Sequence, residues 1–137
     1  MNHCPCLNPL YREAHFQVTK PSSGWPAAFG IVTACNPYGN EATDEENERA
    51  TERLRTELDA ESLVYFQATG GSKDMTHSEK GFAITFLDLQ QAINCGKRHH
   101  QDAIFWIEQN ALKLVCCQCP RIETIDQWER RIVDATP

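Results

Sequence analysis

Two residues before an apolar run, His77 and Glu79 stand at strand spacing, so their side chains share a face. A carboxylate beside an imidazole can act as a general base, a metal ligand or a substrate anchor. It can equally pair with Arg49 or Arg53 on a neighbouring helix. Asp102 follows Gln101 and opens another apolar run, either as a surface strand start or as a site carboxylate. Glu79, Asp102 and Asn36 together offer oxygen atoms that suit a hard cation such as magnesium. With His77 as base, Glu79 and Asp102 would then form the site of a metal-dependent hydrolase or nuclease. Asn47 is a polar residue on the inward face of a helix. It either satisfies the Asn36-Pro37 turn by hydrogen bonds or touches a ligand.

The seven cysteines suggest a different site. Cys4 and Cys6, with Cys117 and Cys119, can supply four thiolates for zinc, and His3, His99 or His100 can substitute. The spacing is not a paired C-x-x-C pattern. Cys35, Cys95 and Cys116 suit the role of small buried hydrophobes. The odd number and the full-sized core argue against a disulfide scaffold. No G-x-S-x-G, Walker or dinucleotide glycine motif is present.

These residues must be placed by a small set of elements. Phe29 to Cys35 is a β-favouring run stopped by Asn36-Pro37-Tyr38-Gly39-Asn40. Thr43-Asp44-Glu45-Glu46 reads as a capping box, and a helix runs on to Glu61 with Asn47, Ala50, Leu54 and Leu58 inward. Leu63 to Ala68 is a second strand, ended by Thr69-Gly70-Gly71. Gly81 to Phe86 is a third, Leu87 to Cys95 a second helix with Gly96 as its stop. Ala103 to Ile107 and Leu112 to Cys117 form a hairpin about Gln109-Asn110. Leu10 to Val18 suits a short helix or an edge strand. Ile122 to Val133 reads as a helix carrying Ile125, Trp128 and Ile132.

The order β-α-β-β-α-β-β plus a C-terminal helix matches a ferredoxin-like two-layer sandwich of the α+β class. Three regions follow: an irregular leading segment over 1–27, an α/β core over 28–119 and a helical tail over 120–137. In this topology the ends of the first two strands and the starts of the next two share one rim. Asn36, Asn47, Gly70, Gly71, His77, Glu79, Gln101 and Asp102 fall together there, with the Cys116-Cys117-x-Cys119 segment.

The chain has 137 residues, 13 Lys plus Arg and 19 Asp plus Glu, for a formal net charge of −6. That balance disfavours broad attraction to nucleic acid or anionic membranes. Arg49, Arg53 and Arg55, and Lys97 to His100, read as solvated faces rather than phosphate sites. No apolar run has the length of a membrane span, and the first residues lack the pattern of a signal peptide, so the sequence reads as cytoplasmic.

From Phe29 to Val115 the chain resembles a bacterial family of uncharacterised small proteins, DUF3293. The resemblance rests on Ile31-Val32-Thr33-Ala34-Cys35-Asn36-Pro37-Tyr38-Gly39, on Asp44-Glu45-Glu46-Asn47 with Arg53-Leu54, on His77-Ser78-Glu79-Lys80-Gly81-Phe82, and on Gln101-Asp102-Ala103-Ile104-Phe105-Trp106. Cys35 stands where the pattern has an aromatic residue. The resemblance implies no activity, but it picks out the same Asn-Pro, Asn, Glu and Gln-Asp positions.

The leading expectation is a domain that binds a small polar or nucleotide-like ligand through Asn36, Asn47, Arg53, Glu79, Gln101 and Asp102. A protein-interaction module is the other alternative to the hydrolase. It would use an exposed patch of Trp25, Trp128 and Ile132, unless the tail simply covers the sheet.

Overall fold

The computed structural model describes residues 9–133, so His3, Cys4 and Cys6 lie outside the described residues. It is a mixed α+β structure built on one curled, eight-stranded sheet. In chain order the elements are α1 (Pro9–Arg12), β1 (His15–Gln17), β2 (Ala28–Thr33), α2 (Asp44–Ala60), β3 (Tyr65–Gly71), β4 (Ser78–Ile84), α3 (Leu89–Arg98), β5 (Ala103–Glu108), β6 (Ala111–Cys116), β7 (Ile122–Gln127) and β8 (Ile132–Val133). The strands lie in the order β7-β6-β5-β2-β4-β3-β1-β8. Every pairing is antiparallel except that of β1 with β8.

Strand alternation sends two sets of side chains to opposite faces. On one face Val32, Phe82, Ile84, Ile104 and Trp106 pack against Leu54 and Leu58 of α2 and Ala92 and Cys95 of α3. The capping box expected for α2 is formed, with Thr43 and Glu46 bonding each other's backbone N–H. α3 begins at the Asp88 cap and runs through Gly96 instead of stopping there. A Cβ at Gly96 would stand 2.7 Å from Ile104 Cγ2 and 2.8 Å from Cys117 Sγ. The glycine therefore marks a close helix–sheet approach, not a helix end.

The opposite face is concave. Four residues, a 3₁₀ turn over Trp128–Arg131, carry the chain from β7 at one sheet edge to β8 at the other. The steps from Gln127 to Ile132 reach about 18 Å at most. A flat eight-stranded sheet would hold its edges about 34 Å apart. The sheet must curl until its edges face one another. Arg12 reaches Glu123 on β7 at 2.6 Å, and Arg131 bonds Asp126 and the carbonyls of Arg12 and Ala14, fastening the two edges together.

Three sequence expectations are corrected. Residues 122–133 are not the expected helix: the Ile125/Trp128/Ile132 spacing imitates one, but the segment pairs with β6 and then with β1. Its β-branched Ile122, Thr124, Ile125, Ile132 and Val133 suit that outcome. The leading segment is not wholly irregular, since β1 pairs with β3 and β8 and buries Phe16. Trp25, Trp128 and Ile132 also form no exposed patch. Trp128 is 1% exposed, and Trp25 and Ile132 are half-buried against it. Among the described residues no helix is long and apolar enough to cross a membrane.

Candidate functional site

Because β2 is antiparallel to both β4 and β5, and β4 to β3, the ends of β2 and β3 and the starts of β4 and β5 meet at one rim. At the far end of the curl Trp25, Phe29, Phe66 and Trp128 fill the concavity, with ring centroids 5.4–6.2 Å apart. At the rim end it stays open, as a cleft of about 790 Å³. Phe16, Ile31, Ala68 and Phe105 give it an apolar floor, while Asn36, Glu79 and Gln101 stand on its polar wall.

β4 starts at Ser78 rather than Gly81, so Glu79 lies within the strand and shares the concave face with Gly81 and Ala83. β3 correspondingly continues through Gly70 and Gly71. A Cβ at Gly71 would collide with the His77 carbonyl, at 2.1 Å, so this glycine serves the β3–β4 hairpin itself. His77 also lines the cleft but is exposed.

Asn36 organises the wall. It follows β2 in the left-handed conformation (φ 47°), which asparagine tolerates. Its Nδ2 donates to Glu79 Oε2 at 2.8 Å, and its Oδ1 accepts from Ala42 N at 2.9 Å and Asn47 Nδ2 at 3.1 Å. Asn47 Oδ1 accepts from Asn36 N in return, at 2.9 Å. Asn47 thus holds the turn from α2, and the cleft lining does not include it. Gln101 is 7% exposed, and its Nε2 donates to the carbonyls of Cys35 and His99, both at 3.1 Å. These two acceptors fix which end of the amide is nitrogen.

Two acceptors are left over. Among the described residues neither Glu79 Oε1 nor Gln101 Oε1 takes a hydrogen bond, and neither atom is sealed from solvent. Asp102 is half-buried and Arg53 is exposed on α2, and neither lines the cleft. Glu79, His77 and Asp102 do not gather into a three-ligand cluster. Cys117 is in the helix-side core and Cys119 packs beside Cys116 and Leu114, in a separate cluster. Burial pushes the Cys117 thiol up to about 12.

Sequence reasoning did not find Phe16 or Arg131 as cleft residues, because β1 and the turn before β8 are placed only by long-range pairing. Tyr38, within the Asn36 to Asn40 turn that the sequence marks, is left-handed (φ 52°), and its N–H donates to His100 O at 2.7 Å.

Burial holds the Glu79 carboxyl above its ordinary range, against the opposing effect of the Asn36 hydrogen bond. The folded state therefore keeps a proton at a pH where the unfolded chain has lost it. Stability falls as pH rises from the ordinary carboxylate value through the raised folded value, then levels off. Glu79→Gln keeps an acceptor for Asn36 and cannot ionise. The variant is expected to match or exceed the wild type in unfolding free energy at neutral pH, with the difference shrinking as pH falls through that window. A difference that instead grows on acidification would show that Glu79 is stabilised as the anion.

Neither the curated proteins nor the solved structures yield a match to this chain. A family model described as "Protein of unknown function (DUF3293)" matches residues 32–104, just over half of the chain. The matched span runs from β2 into β5 and carries Asn36, Asn47, Glu79, Gln101 and Asp102. The polar wall of the cleft therefore lies inside the match, and the chain belongs to the DUF3293 family.

Proposed function

We propose that the chain binds a small ligand that offers hydrogen-bond donors, such as a nucleobase-like heterocycle, in the open end of the curled sheet. The observation that carries this reading is a cleft of about 790 Å³ with an apolar floor and the unused acceptor Oε1 of Glu79 on its wall. Small-molecule sites span roughly 300–1,000 Å³, are mostly apolar, and use a few fixed polar groups to orient the ligand. The mouth of a curled sheet is one of their usual places. A planar body against Phe16 and Phe105 would direct amino or amide N–H groups toward Glu79 and Gln101. The hydrolase reading has weaker support, because Asp102 stands outside the cleft lining. We read the middle of the sheet, β5-β2-β4-β3 with α2 and α3 packed on one face, as a ferredoxin-like unit extended at both edges. The strand order and the split βαβ connections support that reading.

The test is a thermal-shift screen of nucleobases, nucleosides, amines and amides against the purified chain. A ligand at a hundred times its dissociation constant adds about 2.7 kcal/mol to stability. The expected outcome is a hit whose shift disappears in Glu79→Ala and is retained in Arg53→Ala. A hit that survives Glu79→Ala unchanged would place binding elsewhere.

A further inference from the structure

We propose that Glu57, Cys95 and His99 form a binding site for a zinc-type divalent cation between α2 and α3, on the sheet face opposite the cleft. Cys95 and His99 stand four residues apart at the end of α3, a spacing that puts two ligands on one helix face. Glu57 reaches them from α2. One ligand atom from each residue lies within 4.8 Å of the others. Glu57 Oε2 is 3.3 Å from His99 Nε2 and 3.9 Å from Cys95 Sγ. In a tetrahedral zinc site, with bonds of roughly 2.0–2.3 Å, neighbouring ligand atoms are about 3.3–3.6 Å apart. Two of the three separations are therefore close to the edge lengths of such a tetrahedron, and the third is no more than 4.8 Å.

A second observation points to a ligand. His99 Nε2 is buried and makes no hydrogen bond, although Glu57 Oε2 is only 3.3 Å away. That contact is an ion pair only when the ring is protonated, and a buried ring nitrogen that makes no hydrogen bond calls for an explanation. A cation beside both atoms supplies one. The donor set is one sulfur, one imidazole nitrogen and one carboxylate, which favours zinc or cobalt over magnesium or calcium. Three protein ligands leave a fourth position for water. The site opens to solvent on the side of Glu57, which is 26% exposed, while Cys95 and His99 Nε2 are buried behind it. On binding, the Cys95 S–H bond breaks, its proton leaves to solvent and a sulfur–metal bond forms. His99 binds through neutral Nε2, with the proton on Nδ1.

Arg98 opposes the cation. Its Nε and Nη2 bond the two oxygens of Glu57 at 3.2 and 2.8 Å, placing a positive charge on the same carboxylate. Arg98→Gln should therefore tighten metal binding, whereas a purely structural Arg–Glu pair gives no metal response at all.

The full chain, stripped with a chelator, is titrated with zinc against a chromophoric competitor and separately with cobalt. The expected result is one equivalent bound, a near-ultraviolet thiolate-to-cobalt band and the visible bands of tetrahedral cobalt. Cys95→Ala and His99→Ala should each weaken zinc binding more than about a hundredfold, and Cys95→Ala should abolish the thiolate band. Cys4→Ser/Cys6→Ser should leave binding intact. Unfolding curves of both ligand variants establish that they fold, and His99→Ala tests the site even where the buried Cys95 change destabilises the chain. No uptake at stoichiometric zinc, binding that persists in both ligand variants, or binding lost with Cys4 and Cys6 would each overturn the site.

Discussion

Trp128→Ala is expected to lower the stability of the chain by about 3–5 kcal/mol, the range for removing a large buried aromatic side chain. For a chain of this size that corresponds to a fall in Tm on the order of 10–20 °C. Trp128 is 1% exposed and packs on Phe16, Trp25 and Phe29, with ring centroids 5.3, 5.4 and 5.5 Å away. Its backbone N–H also donates to Asn110 O at 2.7 Å, tying the edge-to-edge turn to the β5–β6 hairpin. The indole Nε1 has no hydrogen-bond partner among the described residues. Trp128→Phe therefore loses packing area but no hydrogen bond, and should cost clearly less than Trp128→Ala. Denaturant unfolding of the two variants measures this. A loss below about 1 kcal/mol for Trp128→Ala, the size of an ordinary surface or partly exposed change, would mean that the indole does not hold the curl.

Asn36→Ala is the second large effect, expected at about 2–4 kcal/mol. It strands three partners at once: Glu79 loses a donor, and Ala42 N and Asn47 Nδ2 lose their acceptor. It also places alanine at φ 47°, where Cβ is disfavoured. Asn36→Gly removes the same hydrogen bonds without the backbone strain, and should be milder by roughly 1 kcal/mol. Asn36→Asp keeps the acceptor but sets a second carboxylate against Glu79. Its deficit should widen as pH rises through the carboxylate range and both groups ionise. Equal stability of Asn36→Ala and wild type would show that solvent replaces the whole network.

The contrast between α2 and the C-terminal segment shows what the sequence could reveal. Thr43 and Glu46 carry their capping chemistry within four residues, so the start of α2 was legible from local types alone. Gln109-Asn110, both left-handed in the structure, marked the β5–β6 hairpin for the same reason. Asn36, Glu79 and Gln101 were placed on one rim because antiparallel pairing follows from the order of elements and needs no exact register. The segment from Ile122 to Val133 had apolar residues at helical intervals, and only its distant partners, β6 and β1, decide that it is strand. β1 was undecidable for a related reason: a three-residue strand has too little periodicity to declare itself. Gly70, Gly71 and Gly96 look like stops in sequence, yet β3 runs on through Gly71 and α3 through Gly96, and at each a neighbouring backbone or side chain fills the space of a Cβ. The cleft inherits these difficulties, since Phe16 comes from the short β1 and Arg131 from the turn that leads into β8.

The parallel pairing of Phe16 with Ile132 joins the first and last strands of the sheet. A ribosome delivers β1 before the other seven strands and β8 after them. Until Trp128 emerges, Phe29, Ile31, Ala83 and Ile107 line a trough with no lid over its far end. The nascent chain thus displays an apolar surface until the last strands of the sheet are made, the situation in which chains aggregate or engage chaperones. Closure joins contacts of very long sequence separation, and such contacts are slow to form. The binding cleft is in this sense a late product of folding, since one of its walls does not exist until the final residues of the sheet arrive.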